Sequence, residues 1–223
     1  MISATAEKLL APLVRVERAD ANALPHPVAL IGSHQKINAA LALATVETLQ
    51  EKLPISRDSI RSGLATVHWA GRLQLIERAN GATILLDGAH NPAGAGVLRS
   101  ALENEFAGRR PLLIFGSLSD KRWPEVCGIL APLADRIVTV PVASIRTAGP
   151  AEVASAFRAA HPAAEISPCA SLREAISINK DAGFIVITGS LYLVGEALDL
   201  LATTGAGESE RRLNEWSGSP KSG

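Results

Sequence analysis

Short apolar runs alternate with longer amphipathic stretches along most of this chain. Four runs are β-branched or aliphatic on both faces: Thr83 to Leu86, Pro111 to Phe115, Arg136 to Val140 and Phe184 to Thr188. Such runs read as strands covered on both sides. Helical patterns at about Ala93 to Glu103, Trp123 to Leu130, Ala151 to Ala159, Leu172 to Ile178 and Leu191 to Leu201 lie between and after them. A helix after each strand predicts an α/β fold with a largely parallel sheet. Sheets of this kind present their ligands beyond the C-terminal ends of the strands.

The first third of the chain is less regular. It predicts a short helix-like start from Ala4 to Leu10, a strand at Leu13 to Val16, and a Pro-containing stretch around Pro25 and Pro27. From Asn38 to Leu53, the residues Ala39, Leu43, Val46, Leu49 and Leu53 recur at helical spacing until Pro54, predicting a helix with one buried stripe. Ser56 is placed to cap a second helix, Arg57 to Ala65. The last twenty or so residues, rich in Gly, Ser and charge, read as a disordered tail.

With 223 residues, 47% of them hydrophobic, the chain has room for one full α/β core and an incomplete second domain. Lys plus Arg and Asp plus Glu number 22 each, so no long-range field draws it to nucleic acid or an anionic membrane. Its apolar stretches are too short to span a bilayer. Glu7, Lys8, Arg15, Glu17 and Arg18 break every apolar run near the start, which does not look like a signal peptide. Cys127 and Cys169 are far apart and lack metal-ligand spacing, so a reduced cytoplasmic protein is expected.

Chemistry concentrates in Ile84-Leu85-Leu86-Asp87-Gly88-Ala89-His90-Asn91-Pro92, a strand that ends in polar residues and turns at once into a helix. A carboxylate at Asp87 can accept hydrogen bonds from a ribose or orient an amine. His90 can donate to a carboxylate or a phosphoryl oxygen. Pro92 suits the first turn of a helix whose free N–H groups favour an anion. The same residues also suit plain turn chemistry, with Asp87 and Asn91 forming a turn and capping the helix.

The segment LLDGAHNP is similar to the signature of the folylpolyglutamate synthase and dihydrofolate synthase family, within the Mur-ligase superfamily. His34-Gln35-Lys36-Ile37-Asn38-Ala39-Ala40 resembles the family's HQ-x-x-NA helix start, and Ala70-Gly71-Arg72-Leu73 its PGR-L element. Thr188-Gly189-Ser190-Leu191-Tyr192-Leu193-Val194-Gly195-Glu196 resembles its final strand-to-helix turn, so the likeness spans about residues 34 to 202. Ligases that extend cell-wall precursors usually carry a DDYAH-like sequence at Asp87. Gly88 and the last motif favour the folate branch instead. The resemblance implies a Mur-ligase C-terminal-type, Rossmann-like domain at 71–203, a remnant of the central ligase domain at 1–70, and a tail at 204–223.

The resemblance also implies an ATP-dependent ligase adding L-glutamate to folate or dihydropteroate. By it, Asn38, Arg72 and Asp87 bind nucleotide, while His90 and Ser190 hold glutamate. Asp120-Lys121 resembles a family DK element whose Lys meets phosphate or glutamate; a solvated charged loop would look the same. Read from the residues alone, Asn38 and Ser190 also suit helix caps, Arg72 a surface ion pair, and His34 a structural histidine. Phosphoryl transfer requires a Gly-rich loop ending in Gly-Lys-Ser or Gly-Lys-Thr, and this sequence contains no Gly-Lys pair. Ligands for Mg2+ are likewise expected in an N-terminal part. No catalytic residue is therefore assigned here. The expectation is a truncated or split ligase, inactive alone and completed by an N-terminal half. The alternative is a non-catalytic remnant or partner subunit that binds nucleotide or glutamate.

Overall fold

The computed structural model describes residues 2–78 and 81–203, with Thr203 known by its backbone alone. The tail expected at 204–223 lies outside the described residues. The chain forms two compact units, one from the residues up to 74 with 96–109, the other from 75–95 and from 110 onward.

In the first unit, helices α1 (Ile2–Lys8), α2 (Arg18–Asn22), α3 (Ser33–Leu49) and α4 (Arg57–Thr66) follow one another. Ser56 caps α4 as expected, accepting from the Ser59 N–H at 3.1 Å. The strand expected at Leu13 to Val16 is absent, and those residues form irregular chain, exposed from Leu13 to Arg15 and half-buried at Val16. A strand persists only through a hydrogen-bonded neighbour, and none is paired with this segment among the described residues. The stripe on α3 is also less buried than its spacing suggested. Ala39 and Ala40 are buried, Leu43 and Val46 are half-buried, and Leu49 is exposed, as is Leu53 beyond the helix.

The sheet has six strands: β1 (Gln74–Glu77), β2 (Thr83–Leu86), β3 (Leu112–Phe115), β4 (Arg136–Thr139), β5 (Glu165–Pro168) and β6 (Phe184–Thr188). Their order is β1-β2-β6-β3-β4-β5, and the four pairings from β2 through β5 are parallel. Helices α5 (Pro92–Asn104), α6 (Trp123–Leu130), α7 (Pro150–Ala160) and α8 (Leu172–Ile178) connect successive strands, and α9 (Leu191–Thr203) follows β6. Both sheet faces are apolar. Ile84, Leu86, Ile114, Ile185 and Ile187 join Leu193, Val194, Ala197 and Leu201 of α9 in one core. The alternate residues Leu85, Leu113, Ile137 and Val186 are fully or almost fully buried on the other face, where Phe115 meets Phe157 of α7 edge to face at 5.2 Å. Burial on both sides explains why β-branched runs without polar alternation became these strands.

The chain steps outward from β2 through β3 and β4 to β5, then returns to insert β6 between β2 and β3. That reversal is a topological switch point. Sheets of this kind place ligands beyond the C-terminal tips of the strands flanking such a point.

Candidate functional site

At the switch point, the register Leu86↔Ile187 brings the loops after β2 and β6 side by side. A long hydrogen bond from the Thr188 hydroxyl to Ala89 O, 3.5 Å, ties them together. Asp87, only 8% exposed, continues the ladder by donating its N–H to Ile187 O at 3.1 Å. Its Oδ1 accepts from the Ala89 N–H at 3.0 Å, closing a turn. His90 Nδ1 is 2.8 Å from Gly88 O. A carbonyl only accepts, so Nδ1 carries the proton, and Nε2 of the neutral ring is left as an acceptor. Asn91 Oδ1 accepts from the Gly94 N–H at 2.8 Å, capping α5, with Pro92 in its first turn.

The loop after β6 is equally fixed. Gly189 has φ +104°, and it lets the chain pass close beneath Phe115 and Gly116. Ser190 is 3% exposed, and its Oγ accepts from the Tyr192 N–H at 3.1 Å at the start of α9. A hydroxyl that accepts there keeps its own hydrogen to donate. The helix cap and the polar group aimed at a ligand are therefore compatible uses of one side chain.

In the first unit, α3 begins earlier than the sequence pattern suggested. Its N-cap is Gly32, at φ +104°, so Asn38 lies inside the helix and caps nothing. Its side chain instead donates to Gln35 Oε1 at 2.9 Å. Both residues line a cavity of about 530 Å3 with His34, Arg72, Trp69 and the apolar Val28, Leu30 and Leu64. Burial, and secondarily the nearby Arg72 guanidinium, lower the His34 pKa, so the ring is neutral near pH 7. An apolar pocket edged by an amide, an indole and a guanidinium suits a planar heterocycle bearing an anionic group.

Among the described residues, no group of three His, Cys, Asp or Glu side chains could hold a metal ion. No helix among them is long and apolar enough to cross a membrane.

The "Mur ligase, glutamate ligase domain" family matches residues 71–191, the part that carries the strand-tip loops. The folylpolyglutamate synthase of Lacticaseibacillus casei is 36% identical over 172 residues, 74% of this chain and 38% of that protein. The dihydrofolate synthase/folylpolyglutamate synthase of Bacillus subtilis strain 168 is 30% identical over 169 residues, 75% of this chain and 39% of the relative. The chain belongs to the folylpolyglutamate synthase/dihydrofolate synthase family of Mur ligases. Its fold agrees with that of Mycobacterium tuberculosis folylpolyglutamate synthase complexed with ADP and AMPPCP. The TM-score is 0.70 at 32% identity, over 81% of this chain and 42% of the other. The chain spans about two fifths of the length of the curated relatives named here.

Of the positions singled out by family resemblance, Asp87, His90 and Ser190 come together on adjacent strand tips. Asn38 and Arg72 line one cavity in the other unit. Lys121 lies in the loop after β3. Its Nζ is 3.6 Å from Asp120 Oδ2, and Asp120 also pairs with Arg146 at 3.4 Å, so its charge partner is the neighbouring residue of its own loop. Sequence reasoning passed over Ser117, which is 1% exposed and sits at the tip of β3. It lies beside β6, since the Gly116 N–H donates to Thr188 O at 3.2 Å. The signal was available: Phe115-Gly116-Ser117 repeats the strand-Gly-Ser pattern of Thr188-Gly189-Ser190. Gln35 was noted only as part of the helix-start motif and given no role, and Trp69 was unremarked, because neither stands out without the cavity they line.

Proposed function

We propose that this chain supplies the adenine edge and the glutamate side of an ATP-dependent ligase that joins L-glutamate to folate or dihydropteroate. In this reading, residues 71–203 form the glutamate ligase domain and residues 1–70 correspond to part of a central ligase domain. Asn38, Arg72 and Asp87 serve the nucleotide. His90 and Ser190 hold the incoming glutamate, and Lys121 offers a cation to phosphate or glutamate. The free cysteines Cys127 and Cys169 suit a reducing, cytoplasmic setting.

The chemistry asks little covalent work of these residues. ATP phosphorylates the folate carboxylate; the glutamate amine then attacks the acyl phosphate, and inorganic phosphate leaves. A neutral His90 with Nδ1 held by Gly88 offers Nε2 to a proton of the attacking amine, and in its protonated form donates to a carboxylate. The Ser190 hydroxyl and the first N–H groups of α9 suit the negative end of glutamate. The observation that supports the reading best is the parallel pairing of β2 with β6, which gathers Asp87, His90 and Ser190 at a switch point.

The sequence in hand has no Gly-Lys phosphate loop, which favours a division of labour with a segment that carries one. It also gives a second reading some support, that of a nucleotide- or glutamate-binding partner without turnover. Incorporation of labelled glutamate into dihydropteroate and tetrahydrofolate separates the two. The chain is assayed with ATP, alone and mixed with the phosphate-loop-bearing half of a relative. Ligation only in the mixture is expected. Ligand binding without ligation in the mixture would favour the partner reading. The ligase assignment fails if the mixture is inert and the chain binds neither ATP nor glutamate. Turnover by the chain alone would show that the missing loop is dispensable.

A further inference from the structure

The end of the sheet opposite the strand tips carries a second concentration of charge. β1 turns into β2 at Arg78, whose N–H donates to Ala82 O at 2.9 Å, while the Gly81 N–H donates to Arg78 O at 2.9 Å. This turn leads into Thr83, the first residue of β2, and so lies at the far end of that strand from Asp87. Helices α8 and α9 run back against the parallel strands, so their C-terminal turns reach the same end.

Between these pieces lies a cavity of about 420 Å3, lined by Arg78, Arg173, Lys180, Ser177 and the apolar Ile176 and Leu200. Its volume falls in the range of small-molecule sites, roughly 300–1,000 Å3. Among the described lining residues, three are cations and none is a carboxylate. Arg173 also borders the neighbouring hollow that contains Glu196. The Nη1 atom of Arg78 is buried, with no hydrogen-bond partner among the described residues. A buried guanidinium nitrogen without an acceptor is costly, and an oxyanion seated on the planar fork would satisfy it.

We propose that this cavity binds a small phosphate-bearing anion, held by Arg78 with Lys180 and Arg173 closing over it. Ser177 adds a hydroxyl donor, and the apolar walls leave room for an attached organic group. The competing account assigns the same cations to the partial negative charge at the ends of α8 and α9, and it requires no ligand.

The test follows backbone amide and arginine Nε–Hε signals of the isotope-labelled full chain by NMR. It is titrated with inorganic phosphate and, separately, with pyrophosphate, at ionic strength held constant with chloride. Saturable shifts at Arg78, Ser177 and Lys180 with either probe are expected, and the tighter probe distinguishes a free phosphate from a phosphoanhydride. Lys180→Gln and Arg173→Gln, both exposed and thus safe for folding, should each weaken binding about tenfold, as loss of one charge-assisted bond would. Arg78→Gln should abolish it; if that variant does not fold, the other two decide. Linear drift with both probes would overturn the proposal. So would shifts confined to the Ser190 loop, or saturation unchanged in both exposed variants.

Discussion

Gly189 gives the sharpest test of how the strand tips are built. It joins β6 to α9 at φ +104°, and a Cβ there would lie 2.5 Å from Gly116 O and 2.7 and 2.9 Å from the Phe115 ring. The backbone conformation alone costs an L-residue about 1–2 kcal/mol. Contact with a neighbouring strand's carbonyl cannot be relieved by rotating a side chain, and overpacking of this kind costs about 1–3 kcal/mol. Gly189→Ala should therefore lose roughly 2–5 kcal/mol, a large share of the 5–15 kcal/mol typical of a folded domain. In a chain of this size that lowers Tm by roughly 4–20 °C. Gly195→Ala is the matched control. It lies within α9, and an added Cβ meets nothing within 4 Å, so it should gain up to about 1 kcal/mol from helix propensity. Equilibrium urea unfolding followed by far-UV circular dichroism measures both. A Gly189→Ala variant within about 0.5 kcal/mol of the parent would refute this account of the turn.

Four further outcomes are expected. Ser56→Ala removes the acceptor for the Ser59 N–H and should cost about 1 kcal/mol in urea unfolding. His34 has a folded pKa below 6.5, so the unfolded chain binds the extra proton first as pH falls. Stability should decline as pH drops through 6.5 toward the folded value, and His34→Gln should flatten that slope in unfolding measured from pH 7.5 to 5. Burial pushes the Cys127 thiol up to about 12, leaving on the order of one thiolate in ten thousand at pH 8. Mass spectrometry should find it unalkylated in native protein and alkylated after denaturation. Asp87→Ala should lose about 1 kcal/mol of stability with its turn, whereas Asp87→Asn should keep the bond to Ala89. Both should weaken ATP binding about tenfold in calorimetry, and Asn binding like Asp would assign the residue to the turn alone.

The central strands were legible because nothing but a doubly covered strand accommodates Thr83–Leu86 or Phe184–Thr188, and their bounds fall where the residues placed them. The edges were not. β5 is Glu165-Ile166-Ser167-Pro168, mostly exposed and ending in a proline that an edge tolerates, so it offers no apolar run to read. β1 alternates only weakly, with Gln74 the buried residue at its start. On α3 the first apolar position of the periodic stripe, Ala39, drew the predicted start too late. A Gly32 cap offers no side-chain signal, so the helix entered five residues earlier. For the candidate site, charged and motif-bearing residues were visible and the quiet ones were not. Ser117 is a small polar residue whose meaning comes only from its place next to β6.

The plain turn reading of these loops is compatible with the binding reading proposed above. Asp87 Oδ1, His90 Nδ1, Asn91 Oδ1 and Ser190 Oγ each engage a nearby backbone group of their own loop. Each bond spends one polar atom on fixing the side chain's direction. For His90 it also selects the tautomer that presents Nε2 as an acceptor. A ligand meeting such groups does not have to order them, so less of its interaction energy is lost to side-chain and loop entropy. The turn bonds would thus preorganise the site proposed at these strand tips. Removing one should loosen ligand contacts several residues away even where the fold survives.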